Sequence, residues 1–135
     1  MFRQGLVAMG IALASAGTGL HHRICHVLTE RFGLPHARTH AVVLPYVVAF
    51  NEPVLGTVGA RMAVAVGAGR ASTGIHDLAH RMGLPTSLAE LGLAEEAMAK
   101  VTAEVLEELP ANPRPVDEGA VRSILRAAWE GDGPG

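Results

Sequence analysis

Apolar residues recur along this chain at helical rather than strand spacing. Leu55, Val58, Met62 and Val66 fall on one face, and Gly67 offers a stop. Ile75, Leu78, Ala79 and Met82 repeat the i, i+3, i+4, i+7 pattern, with Gly83 in the position of a C-terminal cap. Ala94, Ala97, Met98, Val101, Val105 and Leu109 form another stripe. Asp117 is placed to cap a last helix carrying Val121, Ile124, Leu125 and Ala128. Ser87 and Glu90 have the spacing of a capping box. Pro110 to Pro115 interrupts the pattern, and Gly131 to Gly135 reads as a frayed tail.

The segment from Ala41 to Phe50 is ambiguous, because Val-Val-Leu-Pro-Tyr-Val-Val suits a strand as well as a buried helix. Pro45 disfavours a central strand, and no second strand is available to pair with it. A buried helix kinked at Pro45 is the expectation. The pattern predicts an all-α bundle of about six or seven helices. Residues 1–130 are expected to form a single helical domain and 131–135 a disordered tail. Met9, Met62, Met82 and Met98 are expected in the core.

Composition narrows the function. The chain has 135 residues, a formal net charge of -2, no Lys/Arg cluster and 4% aromatic residues, which argues against nucleic acid as a partner. Its single cysteine, Cys25, cannot form an internal disulfide and fits a reducing, cytoplasmic compartment. The start is ambiguous in isolation. Apolar Gly5 to Ala14 followed by Ala14-Ser15-Ala16 has the form of an export signal, and equally that of a buried helix containing glycine. The stretch is too short to span a bilayer, so no membrane association is expected.

Seven histidines are many for this length, and six fall in i, i+4 pairs: His22 with His26, His36 with His40, and His76 with His80. Each pair shares a helix face and can aim two imidazoles at one metal, although such pairs also occur as ordinary surface or core histidines. His76 and His80, beside Asp77 and Arg81, are expected on a solvated face. The first two pairs are embedded in apolar sequence, where a neutral imidazole needs partners. A turn near Arg31 to Gly33 would bring His22 and His36 together. Cys25 beside His26 suggests a Cys/His nucleophile, but neighbouring helical positions point about 100° apart, so a buried structural thiol is expected. Gly67-Ala-Gly69 lacks the third glycine of a dinucleotide loop and reads as a turn.

Gly19 to Asn51, GLHHRICHVLTERFGLPHARTHAVVLPYVVAFN, resembles the signature of the iron-containing alcohol dehydrogenase superfamily. That signature has a His, a second His four residues on, a Pro-His pair ten residues further, and then an apolar helix with a proline and an Asn. GLHH, CHVL, LPHARTHAVVLP and the later NPRP (Asn112 to Pro115) resemble the maleylacetate reductases most. The resemblance implies a helical, dehydroquinate synthase-like C-terminal domain. A nucleotide-binding α/β domain, not matched by this chain, would complete the enzyme. On this basis the residues before GLHH are an internal helix rather than a leader.

Carried over residue by residue, the resemblance implies that His22 and His36 are metal ligands for Fe2+ or Zn2+, and that His26 is the histidine near the substrate. His40 and Arg38 are candidates for gripping a dicarboxylate. Arg114 invites the same role beside a plain loop role. The maleylacetate reductases often replace the family's aspartate ligand. A metal-free version, with His22, His26 and His36 on the substrate's carboxylate or carbonyl, therefore stays open. The implied activity is NAD(P)H-dependent reduction of maleylacetate to 3-oxoadipate in aromatic compound degradation. A separate α/β chain would be needed as partner, and without it the chain is expected to be inactive. The alternatives are a non-catalytic remnant or interaction module that self-associates, and a metal-dependent alcohol dehydrogenase.

Overall fold

In the computed structural model, residues 18–134 are described. The expected helix over 5–14 and Met9 lie outside them. Six α-helices and one 3₁₀ turn make up the described residues, with no strand among them. They are α1 (Thr18–Phe32), α2 (His36–Leu55), α3 (Thr57–Ala65), α4 (Ala71–Arg81), α5 (Met98–Glu107) and α6 (Glu118–Glu130), with the 3₁₀ turn Glu95–Ala97 leading into α5.

The ambiguous segment is the centre of α2, a helix of 20 residues with Pro45 and Pro53 inside it. Each proline removes one backbone hydrogen bond. Packing offsets that loss, since α2 lies against α1, α3, α4 and α6 and buries Val42, Val43, Tyr46 and Val47. The largest core cluster joins Leu20, Ile24 and Leu28 of α1 to Val43 and Val47, to Val101 and Val105 of α5, and to Val121 and Leu125 of α6. A smaller cluster gathers Val48, Leu55, Met62, Ala63 and Ala71 under α3 and α4.

Helix ends follow the local chemistry. α1 stops where Gly33 takes φ +69°, and the Gly33 N–H donates to the Thr29 carbonyl at 3.1 Å. At the end of α4 the N–H of Gly83 donates to His80 and that of Leu84 to Ala79, a Schellman pair. Asp117 accepts from the Ala120 N–H at 2.7 Å, the expected cap of α6. α4 is capped from elsewhere. Glu52 of α2 accepts from the Ser72 backbone N–H at 3.4 Å and from the Ser72 hydroxyl, and pairs with Arg70 at 2.9 Å. Its charge sits at the N-terminal end of the α4 dipole. Gly74, one turn into α4, approaches Val66 and Ala68 so closely that a Cβ there would collide with both side chains.

Several expectations change in detail. Leu55 closes α2 and does not begin the next helix, because Gly56 breaks the chain at φ +52°. Leu78 and Met82 do not face the core: Met82 is 66% exposed, whereas Met62 and Met98 are buried. Ser87 accepts from the Glu90 N–H at 3.1 Å as a capping residue would, but a turn follows, not a helix. The end expected to fray is tied down through residue 133. Gly131 accepts from His76 Nε2 at 3.2 Å, and the Gly133 N–H donates to the Tyr46 hydroxyl at 3.0 Å. Among the described residues no helix is long and apolar enough to cross a membrane.

Candidate functional site

α1 carries three histidines and a cysteine in six positions, His21, His22, Cys25 and His26, and the helical stagger sorts them into two faces. His22 and His26 point outward. Their rings lie parallel at 21° with centroids 6.4 Å apart. With Gly19, Arg23 and the segment Glu108 to Pro110, they line a cavity of about 700 Å³. Arg23 fixes this wall by donating from Nη2 to the Glu104 carbonyl of α5.

α2 begins at His36, straight after Pro35. His36 is exposed, with Nε2 3.8 Å from a Glu30 carboxylate oxygen. His40 sits one turn on, its ring 6.5 Å from that of His36 and at 21° to it. Arg38 is exposed between them. His22 and His26 thus share one cavity, while His36 and His40 lie outside its lining. Burial holds the pKa of His40 below the ordinary histidine value, and the nearby charges of His22 and His36 push it the same way.

The inward face of α1 holds His21 and Cys25. His21 Nε2 lies 3.2 Å from the His40 carbonyl oxygen and 3.4 Å from Cys25 Sγ. Its ring meets that of His40 edge-on, 5.0 Å between centroids. Burial pushes His21 down to about 4, against the opposing effect of the His40 carbonyl and with smaller contributions from His40 and His22. Burial also pushes the Cys25 thiol up to about 12. Fully buried and beside His21, Cys25 is no nucleophile for His26.

His21 belongs to no i, i+4 histidine pair, because its partner at i+4 is Cys25. The usable signal was His-x-x-x-Cys on a helix. His76 departs from its expected solvated face: its side chain is 15% exposed, it donates to the Gly131 carbonyl, and its ring lies 6.3 Å from that of Tyr46. Its partner His80 is exposed. Arg114 serves the loop. It donates to the Phe50 carbonyl at 2.8 Å and lies 4.4 Å over the Phe50 ring, while Asn112 and Asn51 exchange amide hydrogen bonds beneath it.

Residues 1–129 match the C-terminal domain of the Fe-containing alcohol dehydrogenases. The chain belongs to this family. Maleylacetate reductase 1 of Rhodococcus opacus is 42% identical over 126 residues, covering 93% of this chain and 35% of that protein. The maleylacetate reductase of Rhizobium sp. (strain MTP-10005) is 44% identical over the same length and coverage. The crystal structure of the Rhizobium enzyme superposes with a TM-score of 0.81 at 43% identity, over 85% of this chain and 33% of that one. An iron-containing alcohol dehydrogenase from Corynebacterium glutamicum gives 0.79 at 42% identity, over 86% and 33%. The chain spans about a third of the length of the curated relatives it matches.

An iron-containing family implies a metal, and the residues present can be tested against it. His22 and His36 open onto solvent from neighbouring helices, and imidazole nitrogen is a suitable donor for iron or zinc. They fit as part of a ligand set, with the remaining positions left to donors from outside this helical unit.

Proposed function

We propose that this chain supplies the helical half of a maleylacetate reductase-like active site, reducing the carbon–carbon double bond of maleylacetate to give 3-oxoadipate. The observation that carries the reading is the pairing of His22 and His26 on one cavity wall, with His36 and His40 opening the next helix. The identity of 42–44% to two maleylacetate reductases supports the substrate. When bound, NAD(P)H supplies hydride, and Fe2+ or Zn2+ on His22 and His36 supplies a Lewis acid. His26 is placed at the cavity to hand a proton to the enolate carbon that is left when hydride adds to the other end of the double bond. Arg38 and His40 would hold carboxylates at the start of α2, Arg38 with its planar fork of donors. In a metal-free version, His22, His26 and His36 take the carboxylate or carbonyl directly. The nucleotide is held by an α/β nucleotide-binding unit that packs on this face.

The test is co-expression with an α/β chain bearing a glycine-rich nucleotide loop, followed by an assay of maleylacetate-dependent NAD(P)H oxidation. Activity in the combined sample, lowered at least about 100-fold by His26→Ala, is the expected result. Turnover by this chain alone, or activity indifferent to His26, overturns it. The likeness to the C. glutamicum alcohol dehydrogenase favours a second reading, metal-dependent alcohol oxidation. Metal-dependent oxidation of simple alcohols, lost in His22→Ala and without maleylacetate reduction, would select that reading. A self-associating chain that gains no activity from any α/β partner would indicate a non-catalytic module.

A further inference from the structure

The inward face of α1 raises a question that the proposed reductase chemistry leaves unanswered. Its His21 and Cys25, one helical turn apart, meet His40 from α2. One ligating atom from each of the three lies within 4.8 Å of the other two. A core position needs no thiol and no imidazoles. Setting the largely buried His21 imidazole against a sulfur costs solvation that valine or leucine would not. Two helices are nonetheless arranged so that three metal-ligating side chains meet, and none of the three is His22 or His36.

We propose that His21, Cys25 and His40 form a binding site for a thiophilic divalent cation of the zinc class; with the ion bound, Arg38 alone is left to hold a carboxylate at the start of α2. The donor set, one sulfur and two imidazole nitrogens, is of the kind zinc takes, and it leaves a fourth position for water or another ligand. Around a tetrahedral zinc, sulfur and nitrogen ligands lie about 3.5 Å apart, from metal–ligand bonds of about 2.3 and 2.0 Å. His21 Nε2 and Cys25 Sγ already lie 3.4 Å apart. The half-buried His40 ring closes the remaining gap by turning about its side-chain bonds. On binding, the Cys25 S–H bond breaks, its electron pair goes to the metal, and the proton leaves to solvent. His21 moves its proton to Nδ1, and Nε2 exchanges the His40 carbonyl for the ion. No oxidant or reductant takes part. The site joins α1 to the N-terminal part of α2, behind the outward pair His22 and His26 that lines the cavity.

Cobalt(II) reads this site directly, because a thiolate bound to it gives a charge-transfer absorption in the near ultraviolet that imidazoles and carboxylates do not. Cys25 is the sequence's single cysteine, so the band has one source. The full 135-residue chain, reduced and stripped with chelator, is titrated with Co2+ without oxygen. The expected result is a charge-transfer band saturating at one equivalent and bleached by Zn2+. The band should disappear in Cys25→Ser. The Co2+ affinity of His40→Ala should fall at least about tenfold, and the band should survive in the His22→Ala/His36→Ala double variant. Helical circular dichroism on each variant confirms folding. Should Cys25→Ser not fold, His40→Ala, altering a half-buried side chain, decides the matter. Absence of the band in folded wild-type protein overturns the proposal. So does a band unchanged by His40→Ala, or one lost with His22 and His36 while Cys25 and His40 are intact.

Discussion

His21 and His22 are neighbours in sequence and occupy different surroundings. His22 stands on the outward face of α1 with His26, at the mouth of a cavity and in contact with water. His21 stands on the inward face with Cys25, tied to the backbone of α2 and pushed down to about 4 by burial. One rotation of about 100° per residue separates a side chain that lines an open cavity from one held against the backbone of α2. The comparison teaches that the histidine count of a helix says little until its faces are assigned. Ile24, on the inward side, is fully buried in the core and marks where the boundary runs.

Truncating the inward face should have the largest effect. Ile24→Ala is expected to destabilise the chain by about 2–5 kcal/mol in urea unfolding, the range for emptying a well-packed aliphatic site. A loss below 1 kcal/mol would mean that α1 is loosely packed. The second test is pH. His21 is held neutral in the folded chain and titrates at its ordinary value when unfolded, so the unfolded state binds more protons between about 6.5 and 4. Its contribution is therefore present above pH 6.5 and lost as pH falls towards 4. The expected loss is about 3 kcal/mol, read as a falling urea midpoint in chelator-treated protein. His21→Gln should flatten that slope. An identical slope in the variant would remove His21 from the inward face.

Smaller effects sharpen the boundary. Arg23 lies between the faces, donating to Glu104 while its buried Nε has no hydrogen-bond partner among the described residues. Arg23→Met keeps the aliphatic stem and should cost about 1 kcal/mol, measured by thermal unfolding. His22→Ala should change stability by less than about 0.5 kcal/mol, as expected for an exposed position. A larger change there would show that the outward face is structural after all.

Much of this arrangement was legible in the sequence. The helices, the Gly33, Gly83 and Asp117 stops and starts, and the family followed from periodicity, capping chemistry and a spaced His motif. Exposure of Leu78 and Met82 was not legible. An i, i+4 stripe gives the phase of a helix but not how wide a neighbour covers it. The partial burial of His76 was missed because its partners, Tyr46 and Gly131, come from far along the chain. His21 was hidden by its spacing to a cysteine, and its contact with the carbonyl of His40 is a tertiary fact that no local pattern carries.

Glu52 has a consequence for how the chain holds itself together. Because α2 supplies the carboxylate that receives the amide of Ser72, the start of α4 has no closure of its own. Amide protons in its opening turn should exchange with deuterium in step with the end of α2, so that two segments some twenty residues apart open as one cooperative unit.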